Sequence, residues 1–270
     1  MKRRYPEGRR KAFNITYDDG VEQDIPFIEM MNRYGLKGTF NLNSQLMYDR
    51  FQWIHESGLP VRRLGPEQTR HLYDGHEVAS HTLTHPWLDH LPREELLYQM
   101  GKDKAQLEAH FEREVCGFAA PFDYFSPLVA QCAEELGFEY ARTSNVTGHY
   151  TPCHENFYLS SGFYHIMPGL REYVDQFLKC DDELALCHIV GHSYDLEVLN
   201  LWDTMNGILR DVSACPDVWS CTTLELVRYI NAMDKAIITE TSLHNGSDIP
   251  LWFSIDGKTH ELLPGETANI

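Results

Sequence analysis

Residues 12–42 read AFNITYDDGVEQDIPFIEMMNRYGLKGTFNL, and this stretch decides the fold. AFNITY is a short apolar run with β-branched and aromatic residues, the pattern of a buried strand. Asp18-Asp19-Gly20 follows with turn chemistry. A helical stretch runs from about Glu22 to Tyr34 and stops at Gly35, a residue suited to a C-cap. Gly38–Leu42 is the next strand. A strand, a crossover helix and a second strand call for parallel pairing.

The same alternation continues along the chain. Further strand candidates are His76–Ser80, Cys116–Ala120, Glu139–Thr143, Leu184–Val190 and Val218–Thr222. Helical candidates between them start at Pro66 and Pro92, the latter reaching toward Glu112, and cover Pro127–Leu136, Leu170–Lys179, Val198–Val212 and Leu224–Ala232. Seven β-then-α units fit either a closed or nearly closed barrel or an open doubly wound sheet. No GxGxxG turn or GxxxxGK[ST] loop argues for the open sheet, so a barrel is expected. From Ser242 onward the turn pairs Asn245-Gly246, Asp256-Gly257 and Pro264-Gly265 separate short alternating runs such as LWFSI. The expected organisation is a barrel over residues 1–241 with a β-hairpin appendage, residues 242–270, packed on it and too small for its own core.

Composition narrows the function. Lys+Arg 23 against Asp+Glu 40 leaves a formal charge of −17, which disfavours nucleic acid and anionic membrane surfaces as partners. No apolar run approaches the ~20 residues of a membrane helix. MKRRYPEGRR is charged but has no apolar stretch behind it, and the seven cysteines form no CxxC pair. A cytoplasmic setting with reduced thiols is the expectation. Self-association is left open.

Parallel α/β folds gather ligands at the carboxyl ends of their strands. The polar residues that follow the predicted strands are therefore the candidates: Asp18 and Asp19, His81 and His85 in SHTLTH, Pro121 and Phe122, Arg142, and His192 in VGHSYD. If HTLTH is helical, the i, i+4 spacing puts both imidazoles on one face, close enough for one ion. A carboxylate would complete a two-His, one-carboxylate site. Taken alone, HxxxH is more often a pair of surface histidines, and Asp-Gly is ordinary turn chemistry. Two adjacent carboxylates at the mouth of a buried strand repel unless a cation or proton offsets them, and metal-assisted hydrolysis has a use for both. His188, inside the apolar run, is expected to be structural.

TYDDG after one strand, SHTLTH after another and a late strand ending in histidine together resemble the polysaccharide deacetylase family, the NodB-homology, carbohydrate esterase 4-like group. The resemblance runs from about Lys11 to Ala232. It implies a distorted (β/α)7 barrel and a metal-dependent hydrolase that removes acetyl groups from an N- or O-acetylated sugar or polysaccharide. It further implies Asp18 as general base, Asp19, His81 and His85 as ligands of one divalent metal ion, and His192 as general acid. Zinc is the first expectation for the ion, with cobalt, nickel, manganese and iron also accepted by such ligands. Tyr17, Pro121 and Phe122 are the expected substrate and oxyanion contacts, through the Phe122 amide in particular. The family's third motif carries an arginine that orients the base. Here the segment is AAPFD, with Ala119 in the arginine position and Asp123 in place of glycine. Arg142 is the candidate replacement, and Asp195 the candidate to hold His192. Two other readings stand beside this one: a cytosolic amidase acting on a small non-sugar C–N bond, as allantoinase-like members do, and a catalytically impaired carbohydrate-binding barrel.

Overall fold

The computed structural model describes residues 1–143, 148–152, 154–155, 158–159 and 162–270. The first strand, β1, is Lys2–Arg4, and the central one, β2, is Lys11–Asp18. All eight residues of β2 are buried. Its alternation divides two surroundings. Phe13, Ile15 and Tyr17 join the main apolar cluster, whereas Ala12 belongs to a second one. Asn14, Thr16 and Asp18 carry polar groups into the interior, where Asn14 donates to the Cys221 carbonyl at 3.0 Å.

Helix α1 (Asp24–Arg33) leads to β3 (Thr39–Leu42) and the short α2 (Ser44–Tyr48). A small hairpin, β4 (Gln52–Ile54) with β5 (Pro60–Arg62), precedes α3 (Pro66–Thr69) and β6 (Glu77–Ser80). The long α4 (Arg93–Phe111), β7 (Gly117–Ala119), α5 (Pro127–Glu135) and β8 (Tyr140–Arg142) continue the alternation. After β9 (His154–Glu155), β10 (Tyr158–Leu159) and β11 (Phe163–Tyr164) come α6 (Leu170–Lys179) and β12 (Ala185–His192). Helices α7 (Ser193–Val198) and α8 (Trp202–Ser213), strand β13 (Val218–Ser220) and α9 (Thr223–Asp234) complete the layer.

The sheet order is β11-β12-β2-β3-β6-β7-β8-β10-β9, with β13 also on β2. Strand β12 pairs with β2 in parallel along its whole length. The other edge of β2 is shared: β13 takes Lys11–Phe13 and β3 takes Thr16–Asp18. All seven strands expected from the sequence are present, and the sheet curls into a distorted (β/α)7 half-barrel. Among the described residues its two ends, β11 and β9, do not pair, so the ring stays open.

One helix departs from expectation. Val198–Val212 is not continuous: α7 ends at Val198 and α8 begins at Trp202, with Asn200 in the left-handed region (φ 53°) between them. Asparagine tolerates that conformation, which ends a helix. The consequence is that α7 starts immediately after His192, with Asp195 in its first turn.

The C-terminal strands are β14 (Ala236–Ile238), β15 (Ser242–Asn245), β16 (Leu251–Ile255), β17 (Lys258–Leu262) and β18 (Thr267–Asn269). They form two three-stranded sheets, β1-β16-β17 and β14-β15-β18. Asp256 and Gly257 both take positive φ (50° and 77°) at the tip of the β16–β17 hairpin, as its two-residue turn requires. A division at residues 241/242 therefore cuts through paired strands, because β1 and β14 lie on the barrel side of it. Leu243, Leu251, Phe253 and Leu262 pack with Tyr5, Leu226 and Tyr229, so the appendage shares a core with α9. Among the described residues no helix is long and apolar enough to cross a membrane.

Candidate active site

The carboxyl ends of β2, β6, β8 and β12 open onto one cavity of about 240 Å³, lined by Asp18, Asp19, His81, His85, Phe122, Arg142 and His192 among others. Seven of the nine site residues expected from the sequence thus meet at one mouth. Pro121 is buried in the turn behind Phe122. Tyr17 does not reach the cavity. It is 1% exposed, on the face of β2 opposite Asp18, stacked on Phe27 at 4.5 Å. The expectation that its side chain contacts substrate is corrected by strand alternation: neighbours on a strand cannot face the same side.

Asp19 and Gly20 have positive φ (88° and 64°), which turns the chain out of β2 toward α1. For an aspartate that backbone is unusual and must be held by its surroundings. Arg63, buried just after β5, holds it: Nη1 donates to the Asp19 carbonyl and Nη2 lies 2.9 Å from Asp19 Oδ1. The guanidinium lies over the Trp53 ring, 5.3 Å from its centroid.

His81-Thr82-Leu83-Thr84-His85 is not a helix. It is a loop with Thr82 (φ 68°) and His85 (φ 59°) in the left-handed region. Asn43 pins it by donating to the carbonyls of His81 and Thr82, the latter at 2.8 Å. The imidazoles still converge, with ring centroids 4.8 Å apart. One ligand atom each from Asp19, His81 and His85 lie within 4.8 Å of one another.

These residues fit a divalent cation. His81 Nδ1 lies 2.8 Å from the Ala119 carbonyl, which can only accept, so Nδ1 carries the proton and the Nε2 lone pair faces the carboxylates. Asp19 Oδ1 is buried and, despite the nearby Arg63, receives no hydrogen bond of good geometry. It is 3.7 Å from His85 Nε2. Two imidazole nitrogens and a carboxylate oxygen form a donor set that borderline metals favour.

Charge is apportioned by environment. Burial opposes ionisation of Asp18, but the Arg142 guanidinium, then His81 and His192, outweigh it and hold the carboxyl below its ordinary value. Burial likewise opposes Asp19, and there Arg63 leads the groups that hold it well below that range. Burial lowers His81, and burial together with the His81 ring takes His85 down to about 3. Both imidazoles are therefore neutral at pH 7, the form that ligates metal. His192 goes the other way. Burial lowers it, yet the Asp195 hydrogen bond and the charges of Asp19 and Asp18 prevail and raise it to about 9. The cavity thus holds two anionic carboxylates, two neutral imidazoles and one imidazolium.

Asp18 Oδ1 accepts from Arg142 Nη2 and, at 2.7 Å, from Asn41 Nδ2, while Oδ2 lies 4.0 Å from His81 Nε2. His192 Nδ1 is 3.0 Å from Asp195 Oδ2, and its Nε2 is 4.0 Å from Asp19 Oδ2. Phe122 (φ 55°) forms one wall, stacked face to face on Trp87 at 3.9 Å and edge-on to His85 at 4.6 Å. Tyr194 stacks on His192 at 4.8 Å.

Sequence reasoning missed Asn41, Arg63 and His165. Asn41 was findable, being a polar residue at the carboxyl end of an apolar strand, the same criterion that selects Asp18. Arg63 has no such signal, because it follows a hairpin outside the barrel sheet. His165 directly follows β11, a strand too short to read from sequence.

A search of the curated proteins finds no match. The family model for polysaccharide deacetylase matches residues 6–141, half of the chain. Among solved structures the chain is similar to a provisionally assigned polysaccharide deacetylase from Mycobacterium smegmatis, with TM-score 0.65 and 14% identity over 87% of this chain and 95% of that one. It is also similar to a family 4 carbohydrate esterase from Streptomyces lividans in complex with acetate (TM-score 0.52, 13% identity, 78% and 92% covered). A CE4 family pseudoenzyme from Bacillus anthracis shares the fold too, with TM-score 0.52 and 18% identity over 84% of this chain and 68% of that one. A carbohydrate esterase and a pseudoenzyme on one fold mean that the fold alone does not decide activity. The family match spans the strand bearing Asp18 and Asp19, the loop bearing His81 and His85, and the AAPFD turn, and on that match the chain belongs to the polysaccharide deacetylase family.

Proposed function

We propose that the chain is a metal-dependent hydrolase that removes acetyl groups from an N- or O-acetylated sugar or polysaccharide. One observation carries the reading: Asp18, paired with Arg142, and His192, paired with Asp195, face one cavity beside the His81–His85 pair. Groups whose environments push their pKa values apart make a base and an acid. Asp19, His81 and His85 would hold the ion, zinc being the first to test, and when bound it supplies Lewis acidity toward an acyl oxygen and a water.

Asp18 is the base in this scheme. With Oδ1 committed to Arg142 and Asn41, Oδ2 takes the proton of the attacking water. The Phe122 amide, in its left-handed turn after Pro121, is the proposed donor to the developing oxyanion. His192 Nε2 gives its proton to the departing amine or alcohol, and Asp195 stabilises the imidazolium until it does. Phe122 and Tyr194 are the walls that keep bulk water from the reacting centre. Residues 1–241 supply the catalytic barrel and residues 242–270 brace it through the shared core with α9.

The test is acetate release from N- and O-acetylated sugars by zinc-loaded protein, repeated after chelation and after zinc is restored. Loss on chelation and recovery with zinc are expected. Stoichiometric metal with no acetate released from any acetylated sugar overturns the reading.

A further inference from the structure

Behind Asp195 lie two buried polar groups, His165 and Tyr17, that the scheme above does not use. Asp195 Oδ2 is approached by two imidazoles, His192 Nδ1 at 3.0 Å and His165 Nε2 at 3.2 Å. His165 Nδ1 in turn lies 2.6 Å from the Tyr17 hydroxyl. His165 is 1% exposed. Its backbone N–H donates to the Val190 carbonyl at 3.0 Å, which ties it to β12 two residues before His192.

The polarity of the chain is determined by its members. An ionised carboxylate only accepts, so His165 Nε2 carries a proton and donates to Asp195. Burial keeps His165 neutral, which leaves Nδ1 as an acceptor, and Tyr17 must therefore donate. Gly191 makes room for the ring: a Cβ there would lie 2.3 Å from His165 Nε2 and 2.4 Å from Cδ2. Strand β12 thus gives up a side chain at the one position where an imidazole must lie flat against it. A polar ring in a dry site is costly unless its hydrogen bonds are needed.

We propose that His165 is a positioning residue for the proton donor, its Nε2–H fixing the Asp195 carboxylate that holds His192 Nδ1, with Tyr17 fixing the His165 tautomer. The proposal rests on the reading of His192 as the donor to the leaving group. Without His165, Asp195 can rotate about its side chain, and His192 loses the partner that aims Nε2 into the cavity.

The experiment compares wild type with His165→Met, which removes the donor, His165→Gln, which restores an N–H near the Nε2 position, and Gly191→Ala, which displaces the ring. Each zinc-loaded protein is assayed on an N-acetylated chito-oligosaccharide, whose amine must be protonated to leave, and on 4-nitrophenyl acetate, whose phenolate leaves without a proton. Folding is checked by thermal melts. The expected result is that His165→Met and Gly191→Ala lose at least tenfold more turnover on the oligosaccharide than on the aryl ester, within the range of general-acid effects, and that His165→Gln recovers part of the difference. Equal losses on both probes overturn the proposal, as that is what a merely structural residue produces. A second measurement does not depend on turnover: long-range ¹H–¹⁵N correlation spectra, with His165 assigned by its loss in the variants. An Nε2-protonated tautomer is expected, and an Nδ1-protonated one refutes the chain. If wild type cleaves neither probe, the hydrolase reading fails, and the tautomer alone decides on His165.

Discussion

Replacing Arg142 by methionine tests the charge distribution of the site without any substrate. The guanidinium is 2% exposed and bonds to Asp18, whose side chain is 10% exposed. Asn41 is the other donor to the same oxygen. Removing one partner of such a pair strands the other charge in a dry site and costs about 3–5 kcal/mol. For a chain of this length the unfolding entropy converts that to roughly 2 °C per kcal/mol, hence a fall of about 6–10 °C in Tm at pH 7. Asp18→Asn should be costly for the mirror-image reason. The double variant leaves no stranded charge, so it should be less destabilised than the sum of the singles by about 2 kcal/mol. The pH dependence changes sign. In wild type the Asp18 carboxyl is held below its ordinary value, so its contribution is present above about pH 3.9 and is lost as pH falls through the lower, folded value. In Arg142→Met burial acts with less opposition and the folded pKa rises. Stability contributed by Asp18 then declines as pH rises through that region. Thermal melts of the four proteins between pH 3 and pH 8 measure all of this. Strict additivity of the two substitutions, or an Arg142→Met protein with wild-type Tm at pH 7, refutes the pairing as the organiser of Asp18.

Metal content separates the two aspartates: Asp19→Asn, His81→Ala and His85→Ala should lose stoichiometric zinc by elemental analysis, whereas Asp18→Asn retains it and loses turnover. Equal metal retention in Asp18→Asn and His81→Ala contradicts the assignment. In the metal-free protein His192, raised to about 9, contributes stability fully below the ordinary histidine value near 6.5 and loses it as pH rises through about 9. The Tm of the metal-free protein should therefore lose this contribution between about pH 6.5 and pH 9, and a contribution already gone at pH 6.5 removes the Asp195–His192 pairing from the explanation. Truncation after Thr241 uncovers the partners of Leu251, Phe253 and Leu262 and leaves β1 and β14 unpaired. At about 1.5–3 kcal/mol for each buried side chain the loss is about 5–9 kcal/mol, comparable with the whole stability of a domain. No cooperative melt is expected from the truncated chain, and a melt within a few degrees of wild type would show the appendage to be dispensable.

The barrel was legible because its strands are nearly continuous apolar runs set apart by helices with clear stops, and because polar residues at strand ends have one place to go. Local spacing was a poorer guide. HTLTH brings two imidazoles together, as an i, i+4 reading requires, yet does so on a loop with two left-handed residues pinned by Asn43. The two imidazoles do meet, but not on a helix, since several backbones can satisfy one side-chain requirement. Contacts between remote segments left no trace in the sequence. Arg63 reaches Asp19 across 44 positions from outside the barrel sheet, and β1 pairs with β16 from the opposite end of the chain. For the same reason the strand pairing that crosses residues 241/242 has no signal in the sequence.

The altered third motif shows what physical constraint survives when a local pattern changes. Ala119 occupies the place where the family's arginine is expected, which on its own suggests a disabled base. In the sheet, however, Ala119 and Arg142 are register partners on β7 and β8. Register partners on adjacent parallel strands send their side chains to the same face, about 4.8 Å apart. A long side chain from either position can therefore reach the same point at the cavity mouth, and Arg142 meets Asp18 there from across 124 residues of sequence. An alanine is then the expected companion, because a second large group at position 119 would compete for the space the guanidinium crosses. What the site needs is a buried cation against Asp18 Oδ1, and that need specifies a location in space, leaving open which of two neighbouring strands supplies it. Returning arginine to position 119 in an Arg142→Ala background tests this directly: recovery of the lost Tm supports exchange across the strand pair, and failure to recover it means the strands are not interchangeable.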